Sequence, residues 1–536
     1  MKKITFLMLI MAVTMQVTAQ FFHGTTYRGA FGDATSTDWT SGWANWDPEN
    51  TPYPATNTTV STDITTNTTW ATGQVILLQN KVYVTNNATL TIQPGVIIRG
   101  DKNTEGTLII TKGAKIMAEG TAANPIVFTS NFDNDGSRGP GDWGGLIILG
   151  NAVNNQGSAV VEGGLDPVKA SYGGSDNNDN SGVLRYVRIE FGGFPFQPDK
   201  EINGLTMGSV GAGTTIEYIQ VSFNNDDAFE WFGGNVNCRH LISYRNLDDD
   251  FDTDFGYSGN VQFALGIRDP NIADQSASST SEGFESDNDG SGTTATPLTS
   301  AVFSNVTLIG PYRGSTSNSI DAKFRRALRI RRNSSISVFN SIFTDFPTGL
   351  HIDGNSSETN ATNNNLKFKN NVLAGMGTNL QVNSGSTFDI LTFFLNGNND
   401  TLNNAGNVQF VNPYPDLTAL NIATPDYRLQ SASPMLTGAD FTDPKFGTVI
   451  WANTENHQLE NNFTVFPNPS NGIVNITSQV SNYEIRIINL LGETVYINAS
   501  GNTSGVYDLN HLPCGIYVLK ITTLKNQFTV KLFLNK

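Results

Sequence analysis

The sequence predicts an all-β chain: a right-handed parallel β-helix followed by a small β-sandwich at the C-terminus. Three observations carry this. First, short apolar runs recur from Gly73 to about Pro434, separated by Gly, Asn, Asp and Ser. Examples are Val82-Tyr83-Val84, Leu108-Ile109-Ile110, Ile126-Val127-Phe128 and Leu146-Ile147-Ile148-Leu149. Second, helical periodicity is almost absent there, and imperfect repeats of about 20 to 30 residues overlay one another. Third, the last segment changes pattern and alternates apolar and polar residues after the turn Pro467-Asn468-Pro469-Ser470-Asn471-Gly472.

The elements follow in order. Met1-Lys2-Lys3, the apolar Ile4 to Val13 and the small residues Val17-Thr18-Ala19 read as a signal peptide over 1–19, with the mature chain starting near Gln20. The apolar run is too short for a stable membrane anchor. The absence of Cys after the cleavage site argues against a lipid anchor. No later stretch is long and apolar enough for a membrane helix. Residues 20–72 form a Trp- and Thr-rich cap with Trp39, Trp43, Trp46 and Trp70. These rings either plug the open end of the coil stack or stack on sugars; the plug is favoured. The β-helix is expected over 73–450, a polar linker over 451–462, and the terminal domain over 463–536.

Two overlays set expected registers. Ala88-Thr89-Leu90-Thr91-Ile92 falls on Gly106-Thr107-Leu108-Ile109-Ile110 at an offset of 18. Tyr218 to Gly233 falls on Leu241 to Gly256 at an offset of 23, placing Asp226 on Asp249 and Asp227 on Asp250. Tyr186 to Gly193 falls on the first of these at an offset of 32. In a β-helix such positions stack one above another. A sandwich or a propeller competes with this fold, but no blade signature is present.

The formal net charge of −16 argues against nucleic acid, whose phosphates need Lys and Arg. With two cysteines, Cys238 and Cys514, in different domains, no disulfide framework exists. The five histidines have no zinc spacing.

The chemistry concentrates in two clusters. Asp226, Asp227, Asp248, Asp249, Asp250, Asp252 and Asp254 form an acidic ladder. Carboxylates stacked at about 4.8 Å repel one another unless protonated or bridged by a cation. Calcium, with six to eight oxygen ligands, suits that need, so Asp226, Asp227, Asp249, Asp250, Asp252 and Asp254 are the expected metal ligands. The repeated Asp-Asn-Asp-Gly-Ser at 133–137 and 287–291 reads as an ordinary turn or as a calcium loop. The basic cluster is Lys323, Arg325, Arg326, Arg329, Arg331 and Arg332. It either binds an anionic glycan, because guanidinium groups take carboxylate or sulfate bidentately, or pairs with the acidic ladder. Phe191-Gly192-Gly193-Phe194 and Trp231-Phe232-Gly233-Gly234 read as core aromatics rather than sugar platforms.

The tail closely resembles the C-terminal (type A) sorting domain of type IX secretion cargo. The resemblance rests on the PNPSNG turn, Leu490-Leu491-Gly492, Gly515-Ile516-Tyr517 and the Lys-bearing terminal strand. It implies export across an outer membrane and the secretion machinery as a partner. The central region resembles the secreted β-helix group that includes pectate-lyase-like polysaccharide lyases and adhesins. In the lyases, that resemblance implies calcium held by clustered Asp and an Arg or Lys as base. Three functions are therefore expected: a carbohydrate-binding or adhesive surface protein, a calcium-dependent polysaccharide lyase or hydrolase, and a structural surface-layer protein. Extracellular polysaccharide is the expected partner of the first two. No catalytic residue can be assigned from the sequence.

Overall fold

The computed structural model describes residues 20–196, 202–277, 279–417, 422–451, 463–466, 470–478, 482–489, 493–500, 504–523 and 527–534. The signal peptide, most of the linker, Pro467 to Pro469 and Leu490-Leu491-Gly492 lie outside these residues. The chain divides into two compact units, 1–448 and 449–536.

Each coil of the first unit contributes one short strand to a ten-stranded parallel sheet running from Lys81–Val84 to Thr378–Val382. The rest of each coil enters a second, bent parallel sheet. Every coil thus meets only its neighbours, which is a parallel β-helix. Side chains alternate across a strand, so one column points inward and the next outward. The inward column Leu205, Phe229, Phe251, Phe284, Leu328 and Leu350 is in register from coil to coil and fully buried. The column beside it, Thr206, Glu230, Asp252, Glu285, Arg329 and His351, faces out.

The bent sheet turns its corner at left-handed residues. Tyr186, Tyr218, His240 and Phe263 have φ of 50°, 57°, 58° and 59°, and Asn305 continues the series at 56°. The left-handed region is uncommon for aromatic residues and disfavoured on steric grounds; here the stacked rings offset the strain. Tyr186–Tyr218, Tyr218–His240 and His240–Phe263 stack with centroids 4.5, 4.3 and 5.2 Å apart. The offset of 32 between Tyr186 and Tyr218 matches this register, with Val187 beside Ile219.

The other two overlays need correction. Leu90 pairs with Ile116 and Leu108 with Val82, so the coil advances by 26 there, and the offset of 18 compares strands of different sheets. Phe229 pairs with Phe251, and Ala228 N–H donates to the Asp249 carbonyl. The acidic coils therefore advance by 22 rather than 23, and Asp227 lies beside Asp249, not Asp250.

The tryptophans do not plug an end. Trp70 sits in the first coils' core. Those coils begin at Thr58–Val60, which pairs with Val75–Leu78, inside the stretch expected to be cap. Residues before it run along the flank instead. Gly29 N–H donates to Asn340 O at 2.7 Å, Asn45 N–H to Gln220 Oε1 at 2.8 Å, and Tyr53 Oη to Glu190 at 2.9 Å. Trp43 and Trp46, with Tyr427, Leu429 and Met435 from the returning chain, cover Ile242, Tyr244, Leu265, Ile267 and Ile309. That sheet face is apolar on its outer side too, and the covering segments keep it from water.

In the second unit, Phe463–Phe466, Ile473–Ser478 and Ser504–Asp508 form one antiparallel sheet. Thr494–Ser500, Tyr483–Ile488, Gly515–Thr522 and Gln527–Leu534 form the other. Val474, Ile476, Ile485, Ile487, Leu519, Ile521 and Leu532 fill one core. This is the expected β-sandwich. Both cysteines are free, Cys238 buried and Cys514 exposed. Among the described residues no helix is long and apolar enough to cross a membrane.

Candidate functional site

The outward column of the ten-stranded sheet forms the floor of a groove of about 710 Å³. Glu162, from the insertion between Gly145–Leu149 and Gly182–Glu190, lines one side. The loop bearing Asp274, Gln275, Ser276, Ser279 and Thr280 lines another. Lys323 Nζ holds that loop, donating to the carbonyls of Ser276 and Ser279, the latter at 2.8 Å.

The acidic turns that enter the groove are built alike. A buried Asn precedes each: Asn224 N–H donates to Asn246 Oδ1 at 2.7 Å, and Asn224 Nδ2 to Asp227 O at 2.9 Å. Asp249 N–H donates to Asp227 Oδ1 at 2.8 Å, which locks one turn on the next. Three carboxylate triads follow: Asp226, Asp227 and Asp248; Asp227, Glu230 and Asp252; Asp249, Asp252 and Glu285. Within each triad the candidate oxygens lie within 4.8 Å of one another. Burial pushes Asp227, Glu230, Asp248, Asp249 and Asp252 well above the usual carboxylate range, and neighbouring carboxylates push them further. Burial does the same to Asp254, reinforced by Asp287. Asp248 Oδ1 and Asp252 Oδ1 are buried without a hydrogen-bond partner.

Asp250 stands apart from this set. At an advance of 22 it occupies the inward position held by Ala228 one coil earlier. Its carboxylate faces Arg268 at 3.1 Å and accepts from Ser243. Glu230, Asp248 and Glu285 take part in the triads instead; Glu230 escaped sequence reasoning because it is a lone acid in the apolar strand Phe229–Phe232, and Glu285 because it precedes an Asp-Asn-Asp-Gly-Ser turn, outside the ladder's overlay. The outward parity of Glu230 beside inward Phe229 and Trp231 was the available signal.

The arginines lie on the same columns, one coil beyond the acids. Arg329 Nε pairs with Asp353 at 2.8 Å and Nη1 with Glu285 at 3.3 Å. Arg331 pairs with Asp287 at 2.8 Å and with Glu285, and Arg332 with Asp287 at 2.8 Å. Arg326 pairs with Glu282 at 2.6 Å. Arg325 is exposed outside the groove lining. Pairing thus accounts for most of the basic run, but with Glu282, Glu285, Asp287 and Asp353 rather than with the ladder of Asp226 to Asp254, while Arg329, Arg331 and Arg332 still line the groove.

In the Asp-Asn-Asp-Gly-Ser repeats, Asp135 accepts from Ser137 N–H at 3.1 Å and Asp289 from Ser291 N–H at 2.9 Å, as turn residues do. Phe191 and Trp231 are fully buried and Phe232 nearly so.

Residues 464–535 match the family described as secretion system C-terminal sorting domain. The tail is therefore an export address, and the protein is secreted or at the cell surface with the type IX machinery as its partner. No curated protein matches the chain. Residues 62–413, about two thirds of the chain, match the family described as pectate-lyase like beta helix domain, and the chain belongs to that family.

Proposed function

We propose that this secreted β-helix is a carbohydrate-binding or adhesive surface protein whose groove takes calcium and, through it, an anionic polysaccharide. The carrying observation is the set of overlapping triads, Asp226/Asp227/Asp248, Asp227/Glu230/Asp252 and Asp249/Asp252/Glu285. The donors are all hard oxygens, as calcium prefers. Stacked buried carboxylates repel one another, and a divalent cation relieves that repulsion while supplying a partner for Asp248 Oδ1 and Asp252 Oδ1. Asp226, Asp227, Glu230, Asp248, Asp249, Asp252 and Glu285 would hold it; Asp254 lines the same groove but belongs to none of these triads. When bound, the ion would supply positive charge for a uronate or sulfate.

A second reading is a calcium-dependent polysaccharide lyase, favoured by Arg329 and Arg331 in the same groove. Such an enzyme takes the proton alpha to a uronate carboxylate and expels the glycosidic oxygen, leaving an unsaturated sugar. Titration calorimetry with calcium, followed by a polysaccharide screen with and without it, tests the first reading. Binding without new ultraviolet absorbance supports the module, absorbance growing with time supports the lyase, and no calcium binding sinks both.

A further inference from the structure

The groove's arginines and its candidate cation ligands share one carboxylate. Glu285 belongs to the triad with Asp249 and Asp252. It also accepts from Arg329 Nη1 at 3.3 Å and from Arg331 Nη2. A carboxylate turned to a divalent cation gives up oxygen lone pairs that guanidinium groups otherwise use. Each arginine has a second anchor besides Glu285. Arg329 Nε holds Asp353 at 2.8 Å, and Arg331 Nε holds Asp287 at 2.8 Å. Loss of Glu285 would leave both side chains oriented, with Nη donors turned free.

Charge points the same way. Among the described residues, eleven carboxylates line the groove against the three guanidinium groups of Arg329, Arg331 and Arg332. An anionic sugar meets net repulsion there until cations are bound. Asp248 is 8% exposed, its Oδ2 accepts from Ser279 at 2.8 Å, and its Oδ1 is left without a partner. Asp252, which shares a triad with Glu285, also leaves its Oδ1 without a partner, so an unmet oxygen and an arginine-occupied carboxylate lie in one candidate site.

We propose that Glu285 is an exchange point: cation capture by Asp249, Asp252 and Glu285 releases Arg329 and Arg331 to bind an anionic saccharide, so cation and anion bind cooperatively. This rests on the cation reading above and adds the coupling to it. Coupling is reciprocal, so the anion raises calcium affinity by the same factor.

The test titrates the full-length secreted protein with calcium alone, then with a galacturonate trisaccharide or a sulfated disaccharide, in calcium and in chelator. Wild type should bind the saccharide at least about tenfold more tightly with calcium. Glu285→Gln should weaken calcium binding yet bind the saccharide in chelator more tightly than wild type does in chelator, the remaining carboxylates keeping it below wild type in calcium. Arg329→Gln with Arg331→Gln should lose the saccharide and bind calcium more tightly, a result available even if Glu285→Gln folds poorly. A Glu285→Gln protein that binds the saccharide in chelator no better than wild type does would overturn the exchange and leave simple metal bridging of the sugar. Calcium binding in wild type with no effect on saccharide affinity would overturn the coupling alone. No calcium binding at all would overturn the cation reading and the coupling together. The two saccharides separate carboxylate from sulfate as the anion taken.

Discussion

Arg268 Nε lies 3.1 Å from Asp250 Oδ2, with neither side chain exposed. The two atoms are close enough for an ion pair without being aligned as a hydrogen bond. The same guanidinium donates to the carbonyls of Asn246 at 3.0 Å, Asp248 and Glu282. One buried cation therefore ties the Asp248–Asp250 turn to the next coil, which carries Glu282 and Glu285. The groove's geometry depends on a residue that does not line it.

That arrangement predicts an asymmetric mutational cost. Arg268→Met leaves Asp250 buried without its charge partner and frees three carbonyls. Breaking a buried pair from one side typically costs about 3–5 kcal/mol. Arg268→Met with Asp250→Ala removes the orphaned charge and should recover part of that loss. Denaturant melts of the single and double variants check this; equal destabilisation of both would show that the carbonyl contacts, not the ion pair, dominate.

The register correction separates two neighbouring aspartates. Calcium that binds only the folded state raises the melting temperature with the logarithm of its free concentration. Asp249→Asn should remove most of that rise, because Asp249 belongs to a triad. Asp250→Asn should leave the rise largely intact while changing the metal-free stability, because Asp250 faces Arg268. Asp133→Asn should also leave it, since Asp133 pairs with Arg99 at 2.9 Å, away from the groove lining. Thermal melts in chelator and in millimolar calcium distinguish the three variants.

These aspartates also show how far the sequence could be read. The recurring apolar runs and the Tyr186–Tyr218 offset were legible because inward side chains repeat with the coil. The acidic offset was misread by one residue. Asp226-Asp227 overlays Asp249-Asp250, and Phe232-Gly233 overlays Phe255-Gly256, when like letters are matched. Hydrogen-bond register instead sets Ala228 level with Asp250, whose inward carboxylate is met by buried Arg268 and Ser243, and a one-residue slip moves side chains to the opposite face. The fate of Trp43 and Trp46 was not legible either. Their partners Tyr186, Tyr218 and Tyr244 are far away in the chain, and no local pattern records a return along the flank.

Export should depend on the second unit without the first depending on it. Residues 449–536 cluster as their own compact unit with their own core. Removal of 463–536 should leave a folded, protease-resistant β-helix held in the periplasm. Fractionation followed by limited proteolysis reads both halves of the statement. Secretion of the truncated protein at the normal level would refute the address, and rapid degradation would refute the independence.

The pH dependence of stability should run opposite to that of most acidic proteins. Burial lifts Asp250 to about 6 and Glu282 to about 7, with Arg268 and Arg326 respectively pulling them back down. Asp227, Glu230, Asp248, Asp249, Asp252 and Glu285 rise in the same direction. A carboxyl whose folded pKa exceeds its unfolded value binds more protons in the folded state. Its stabilising contribution is present below the ordinary carboxylate range of about 4. It is lost as pH rises through the folded values, which for Asp250 and Glu282 means through about 6 to 7. Metal-free protein should therefore melt higher at mildly acidic pH than at pH 8 or so, in contrast to chains dominated by lowered carboxyls such as Asp353 and Asp443. Calcium competes with protons for the same oxygens, so its stabilisation should be small in acid and large in base. Melting curves over that pH range, in chelator and in calcium, should diverge as pH rises. Parallel curves would show that protons and calcium do not share the groove, and the triads would then be excluded as the calcium ligands.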